Sequence, residues 1–81
     1  MNIKFKDFEI ASFSDLDYEE MTVEIRYRGI PIAQINKDKG FECCDIEIPY
    51  RFSPEDEKFI FPLDDFMEVL GAAKVMLGKL G

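Results

Sequence analysis

The hydrophobic period changes once along this chain, and that change sets what it can fold into. "MTVEIRYR" (21–28) alternates: Val23, Ile25 and Tyr27 fall on one parity, and Thr22, Glu24, Arg26 and Arg28 on the other. Successive side chains of a strand point to opposite faces, so this is the pattern of a half-buried strand. From Pro62 onward the spacing is helical. Leu63, Phe66, Leu70, Ala73, Leu77 and Leu80 form one stripe at the three- and four-residue intervals of an amphipathic helix. The expected fold is therefore α+β, with an antiparallel meander packed against one C-terminal α-helix. Eighty-one residues make one domain, 1–81, and a chain this short buries roughly 60% of its unfolded surface. Its 47% hydrophobic content, with eight Phe and three Tyr, is enough for a small core and is not a disordered composition.

The meander is expected to contain three to five strands. After 21–28, Gly29 breaks the strand and is free to take positive φ. "IPIAQIN" (30–36) is a second strand, with Pro31 near its start, where a missing N–H is tolerated. "NKDKG" (36–40) is a turn and "FECCDIEI" (41–48) a third strand. Upstream, 3–13 has strand character, with a change of parity near Asp7 that reads as a bulge or break. "SDLDYEE" (14–20) is either a loop or one short helical turn capped by Ser14. Residues 49–61 read as a loop with a short edge strand at "KFIF" (58–61).

In the helix, Asp64 and Asp65 stand in the first turn and Lys74 and Lys79 towards the end, as the helix dipole favours. Gly71 and Gly78 each weaken it by about 1 kcal/mol relative to Ala, and one of them is expected to mark a close approach to the sheet. Met67, Val69, Ala72, Val75 and Met76 widen the apolar face beyond the stripe. They imply either a deep core or a second contact surface, such as a homodimer through Val69, Ala72, Val75 and Met76.

The adjacent Cys43 and Cys44 are the residues most suggestive of chemistry. In a strand they diverge, and a disulfide between neighbours demands a strained peptide. A metal site needs convergent ligands, and the chain has no His and no third Cys,. A reactive thiolate wants a nearby cation, whereas the neighbours are Glu42, Asp45 and Glu47. Cys44 thus reads as a small core residue and Cys43 as a free thiol on the outer face, which fits a reducing compartment. Without His there is no Ser/His/Asp or Cys/His nucleophile system, and neither G-x-x-x-x-G-K-[ST] nor G-x-G-x-x-G occurs. Helix-start chemistry explains Asp64–Asp65. "DLDYEE" lacks the glycine and spacing of an EF-hand loop. The chain is expected to be no enzyme and to take no cofactor or metal.

What remains is acidity. Seventeen acids against ten bases give a net charge of −7. Phosphate backbones and anionic membranes are bound by Lys and Arg, so nucleic acid and membrane surfaces are disfavoured partners. A basic protein is favoured, because complementary fields speed association. Solubility alone also explains an acidic surface. The acids cluster in 14–20 (Asp15, Asp17, Glu19, Glu20), along one sheet face (Glu24, Asp45, Glu47) and in 55–57 (Glu55, Asp56, Glu57). These ten residues are the candidate partner-binding set, although Glu24, Asp45 and Glu47 can equally pair across strands with Arg26 and Arg28. No run of 18 apolar residues is present, and "MNIKFKDFEI" lacks the continuous apolar region of a signal peptide. The expected location is the cytoplasm.

The succession "VEIRYRGIPIAQIN", "KDKG", "CDIEI" and "FPLDDFMEVLGAAKVML" resembles small immunity proteins of contact-dependent growth inhibition and related polymorphic toxin systems. The resemblance covers roughly residues 21–80 and rests on hydrophobic rhythm, so no functional residue carries over from it. It implies a non-catalytic bacterial protein that neutralises a toxin domain, often a nuclease, by direct binding. HicB-type antitoxin domains share the strand–strand–strand–helix rhythm, but this chain lacks the DNA-binding extension that many of them carry. The alternatives are a homo-oligomeric structural module and a phage-encoded inhibitor of a host nucleic-acid enzyme.

Overall fold

The computed structural model describes residues 2–80. Five strands come first: β1 (Asn2–Phe5), β2 (Phe8–Phe13), β3 (Thr22–Tyr27), β4 (Ile30–Asn36) and β5 (Asp45–Glu47), followed by α1 (Leu63–Lys79). The sheet order is β1-β2-β3-β4-β5, and every neighbouring pair is antiparallel. This is the expected α+β meander with one C-terminal helix.

The parity change near Asp7 is a break, made by a hairpin turn, and not a bulge. Phe5 faces Phe8 directly, and Lys6 adopts φ 53 in the two-residue turn. Arg28 and Gly29 make the second tight turn at φ 50 and φ 83. Two successive positive φ values belong to the mirror-image turn that matches strand twist. Gly29 adopts this at no steric cost. Arg28 does not, and its N–H donates to the Asp7 carbonyl at 2.8 Å. The sheet's one irregularity falls between Ile25 and Arg26: Ile25 pairs with Ala33 and Arg26 with Pro31. Ile32 is the extra residue of this bulge, and it is buried beside Ala33.

Two strand expectations fail. Residues 41–48 do not form one strand: Phe41–Cys43 is a short 3-10 turn, and only Asp45–Glu47 pairs with β4. Gly40 enters that turn at φ 107, and Cys43 N–H donates to the Gly40 carbonyl at 3.0 Å, so the chain is coiled where alternation predicted extension. Residues 58–61 pair with no strand. Instead Phe59 and Phe61 pack inward against the core while Ile60 remains exposed.

The core lies between the sheet and α1. Cross-strand rows bring Phe8 opposite Tyr27, Ile10 opposite Ile25, and Val23 opposite Ile35. Val69, Ala73, Met76 and Leu77 of the helix close on these residues. Phe8, Tyr27, Phe61 and Phe66 form an aromatic cluster at one end, with neighbouring ring centroids 4.9–5.0 Å apart in tilted or edge-on geometry, as ring quadrupoles favour. Both helix ends are tied. Lys6 Nζ meets Asp65 Oδ1 at 2.8 Å, and Lys37 Nζ donates to the Leu80 carbonyl.

The buried stripe is rotated from the expected one. Leu63 is 69% exposed, whereas Val69 and Met76 are each 2% exposed. Val69 and Met76 therefore belong to the core and cannot form the homodimer face expected of Val69, Ala72, Val75 and Met76; of those four, only Ala72 and Val75 are exposed. Gly78 does mark a close approach, but to Phe41 of the 3-10 turn rather than to the sheet.

Candidate functional site

The sheet face opposite the helix is polar, and its middle is covered. Glu24 stands in register with Gln34, and Gln34 with Glu47; Asn36 pairs with Asp45. Glu24, Asp45 and Glu47 thus share a face, as their spacing requires, but they do not share an environment. Glu24 is 3% exposed. It accepts hydrogen bonds from the Tyr50 hydroxyl and from Arg26 Nε, and Arg26 Nη1 reaches Glu9 Oε1 at 3.3 Å. Burial and the Glu24 carboxylate together push the Tyr50 hydroxyl far above the ordinary tyrosine range. Arg26 is raised by its hydrogen bond to Glu24, with burial opposing and Glu9 adding to it.

Two loops supply the cover. One is 14–21, whose turn is local: Asp17 N–H donates to Asp15 Oδ1 at 3.0 Å and Tyr18 N–H to the Asp15 carbonyl at 3.0 Å. The Asp15 side chain then points inward, 4% exposed over the whole residue. Gln34 Nε2 donates to its Oδ2 at 2.9 Å and to Thr22 Oγ1 at 3.0 Å, and Thr22 donates to the Phe13 carbonyl. The other loop is 49–53, entered through a cis Ile48–Pro49 bond. It lays Tyr50 over Glu24 and sets Arg51 against Asp15 at 2.9 Å and Asp17 at 3.3 Å. Phe52 packs edge-on against Phe13 and Tyr50. The Asp17 backbone N–H, then Gln34, hold the Asp15 carboxyl below the usual range. Among the described residues no buried side-chain polar atom lacks a partner.

The ten candidate acids therefore divide. Asp15 and Glu24, against expectation, are interior structural groups and belong to no docking surface. Asp17 is held by Arg51. Asp45 pairs with Lys39 at 3.0 Å, and Glu47 accepts from the Tyr18 hydroxyl at 3.0 Å, which raises the Tyr18 pKa. Asp38 receives the backbone N–H groups of Glu19 and Glu20, each at 3.1 Å, and both side chains lie at the surface. Glu55, Asp56 and Glu57 are likewise exposed. For these last five, no ion pair occurs among the described residues.

Sequence reading missed the partners of the buried acids, Gln34, Tyr50 and Arg51, and it missed Asp38, which holds the backbone of Glu19 and Glu20. No periodicity marks them, because each acts across a loop. It also missed a half-open groove of about 410 Å³ beside β4 and the helix start. Its walls are Ile32, Ile48, Pro49, Phe59, Phe61 and Phe66, and Glu55 and Glu57 stand among its lining residues. The aromatic and proline content of 48–61 was the available signal.

Cys43 is exposed and Cys44 partly buried, both as free thiols; Cys44 Sγ lies 2.9 Å from the Phe41 carbonyl. Among the described residues no cluster of His, Cys, Asp or Glu converges as a metal site, and no helix is long and apolar enough to cross a membrane. Comparisons with protein-family models, curated proteins and solved structures find no match to this chain.

Proposed function

We propose that the chain is a non-catalytic acidic binding protein that neutralises a basic protein partner, a toxin domain of the nuclease kind, in the manner of an immunity protein. One observation carries this reading. Five of the ten cations, Lys6, Arg26, Arg28, Lys39 and Arg51, pair with other acids of the chain, while Glu19, Glu20, Glu55, Asp56 and Glu57 remain exposed with no ion-pair partner among the described residues. Asp45 and Glu47 are also exposed, each with one internal partner.

The physical argument is complementarity. A nuclease needs Lys and Arg around its cleft to hold phosphates. An acidic protein meets that field with its own, speeds encounter and competes for the same cations. A phage-encoded inhibitor of a host nucleic-acid enzyme would use the same surface, and gene context separates the two. A self-assembling module would not need unpaired acids.

The test is capture of the adjacent gene's product by the tagged chain at low and high salt. The expected result is retention at low salt that weakens as salt rises. Replacing Glu55, Asp56 and Glu57 together with Lys should slow association by about tenfold or more, as loss of electrostatic steering does. No capture of a basic protein, together with a dimer by light scattering, would sink the proposal.

A further inference from the structure

The groove beside β4 adds an apolar seat to the acidic surface. β5 pairs only with Gln34, Ile35 and Asn36, so the first half of β4 has no strand on that side among the described residues. The chain leaves β5 at Ile48, covers the polar face with 49–53, and returns along 54–61 to Phe59 and Phe61, which rejoin the core. The gap between this returning segment, Ile32 and Phe66 is the groove. It stays open because Ile48, 58% exposed, lies along its wall instead of filling it.

Three properties define what fits. The volume, about 410 Å³, falls in the range of roughly 300–1,000 Å³ typical of ligand pockets and accommodates large side chains. The walls are aliphatic and aromatic, so the inserted group is apolar. The ionisable groups lining the groove are both acids, Glu55 and Glu57, and neither has an ion pair among the described residues. An anionic ligand is repelled and a cationic one attracted.

We propose that this groove seats a large apolar side chain of the partner polypeptide, Leu or Phe, whose flanking Lys or Arg residues meet Glu55 and Glu57. The site rests on the inhibitor reading above and specifies it further. Exposed acids supply encounter, and the groove supplies the desolvated anchor that dominates affinity at protein interfaces. A polypeptide is favoured over a small amine because the apolar walls and the two lining acids, Glu55 and Glu57, ask for an apolar group and separate cations carried on one chain,.

The probes are end-capped peptides: Lys-Lys-Leu-Phe-Lys-Lys, its Leu-Phe→Ala-Ala version, and Glu-Glu-Leu-Phe-Glu-Glu. Each is titrated into the labelled protein and followed by amide NMR. The expected result is a saturable shift for the first peptide alone, centred on Ile32, Ile48 and Phe59. Ile48→Glu changes an exposed residue, so its amide spectrum should stay folded while binding is lost. Glu55→Lys with Glu57→Lys should weaken binding about tenfold or more. Equal shifts with the Ala-Ala peptide or with the acidic peptide, or binding unchanged by Ile48→Glu, would overturn the groove assignment. Partner capture separates the two proposals. A basic protein captured equally by Ile48→Glu and wild type removes the groove and leaves the inhibitor reading. Peptide seating without capture of any basic protein does the reverse.

Discussion

Ile25 and Glu24 are neighbours in β3, and both are almost wholly buried, yet they enter different interiors. Ile25 points to the helix and joins Ile10, Ala33, Val69 and Leu77 in one apolar cluster. Glu24 points the other way, to Tyr50 and Arg26 under a loop. The helix side is held by area removed from water, which asks only for apolar volume in the right place. The loop side is held by directional partners, and each polar group must be matched or its desolvation cost goes uncompensated. One sheet thus carries a tolerant face and an exacting one. The exacting face removes Asp15 and Glu24 from the acids available to a partner.

The largest effects should come from breaking each face at its centre. Ile25→Ala leaves a cavity in the apolar cluster and should cost about 2–5 kcal/mol, a large part of a small domain's stability of about 5–15 kcal/mol. Glu24→Ala leaves the Tyr50 hydroxyl without its acceptor and Arg26 with Glu9 alone, and should cost about 1–3 kcal/mol. Urea denaturation at neutral pH measures both. A Glu24→Ala cost below about 0.5 kcal/mol, the range of an ordinary surface change, would mean that water replaces the partners and that the loop is not a true cover.

The two faces should also differ in how they respond to pH. Asp15 has a depressed folded pKa. Its contribution is therefore present above the unfolded carboxylate value of about 3.9 and is lost as pH falls through the folded value. Tyr50 has a raised folded pKa. Its contribution is full below the unfolded value of about 10 and declines as pH rises beyond it. Stability should be flat between these limits and fall outside them, by at most about 1.4 kcal/mol per pH unit for each group. Asp15→Asn should flatten the acid limb, and Tyr50→Phe should shrink the alkaline limb without abolishing it, because the Tyr18 hydroxyl, raised by Glu47, keeps a share. Ile25→Ala should lower the whole profile without changing its shape. Urea midpoints across pH decide this; an unchanged alkaline limb in Tyr50→Phe would remove that hydroxyl from the account.

The helix-side architecture was legible in the sequence because both of its patterns are periodic. The alternation of 21–28 and the helical spacing after Pro62 each report one buried face. The loop-side interior was not legible, for a physical reason. Glu24 reads as a solvated strand residue by parity, and only Tyr50, 26 residues away, makes it interior. Similarly, Arg51 and Gln34 converge on Asp15 from separate elements, and no local rule links them. The candidate acids with no ion pair among the described residues, Glu19, Glu20 and 55–57, were visible as clusters. What was hidden was which clusters the chain itself consumes. The rotation of the helix stripe had a simpler cause: Leu63 and Val69 both satisfy an apolar pattern, and only the docking against β2, β3 and β4 chooses Val69.

The smallest effects test how far the tolerance of the helix side extends beyond its core. Gly71 and Gly78 both lie within α1, where glycine is less favourable than alanine by about 0.5–1 kcal/mol. A Cβ at Gly71 would meet nothing within 4 Å, so Gly71→Ala should gain that amount, a rise in melting temperature of about 2–8 °C for a domain of this size. A Cβ at Gly78 would sit 2.9 Å from Phe41 Cε1 and 3.0 Å from Cζ. That contact is too close, and the ring must move off the helix and from beneath Lys74, whose Nζ stands 5.5 Å from its centroid. Phe41 is 44% exposed and can swing, so the lost packing offsets the gain, and Gly78→Ala should come out near neutral. If both variants gained equally, the Phe41 contact would contribute nothing and the 3-10 turn would be anchored by its own hydrogen bonds. If Gly78→Ala instead lost more than about 1 kcal/mol, the typical cost of overpacking a well-filled site, this contact would be as exacting as the loop-covered face, and the division between the two sides of the sheet would hold only for the core.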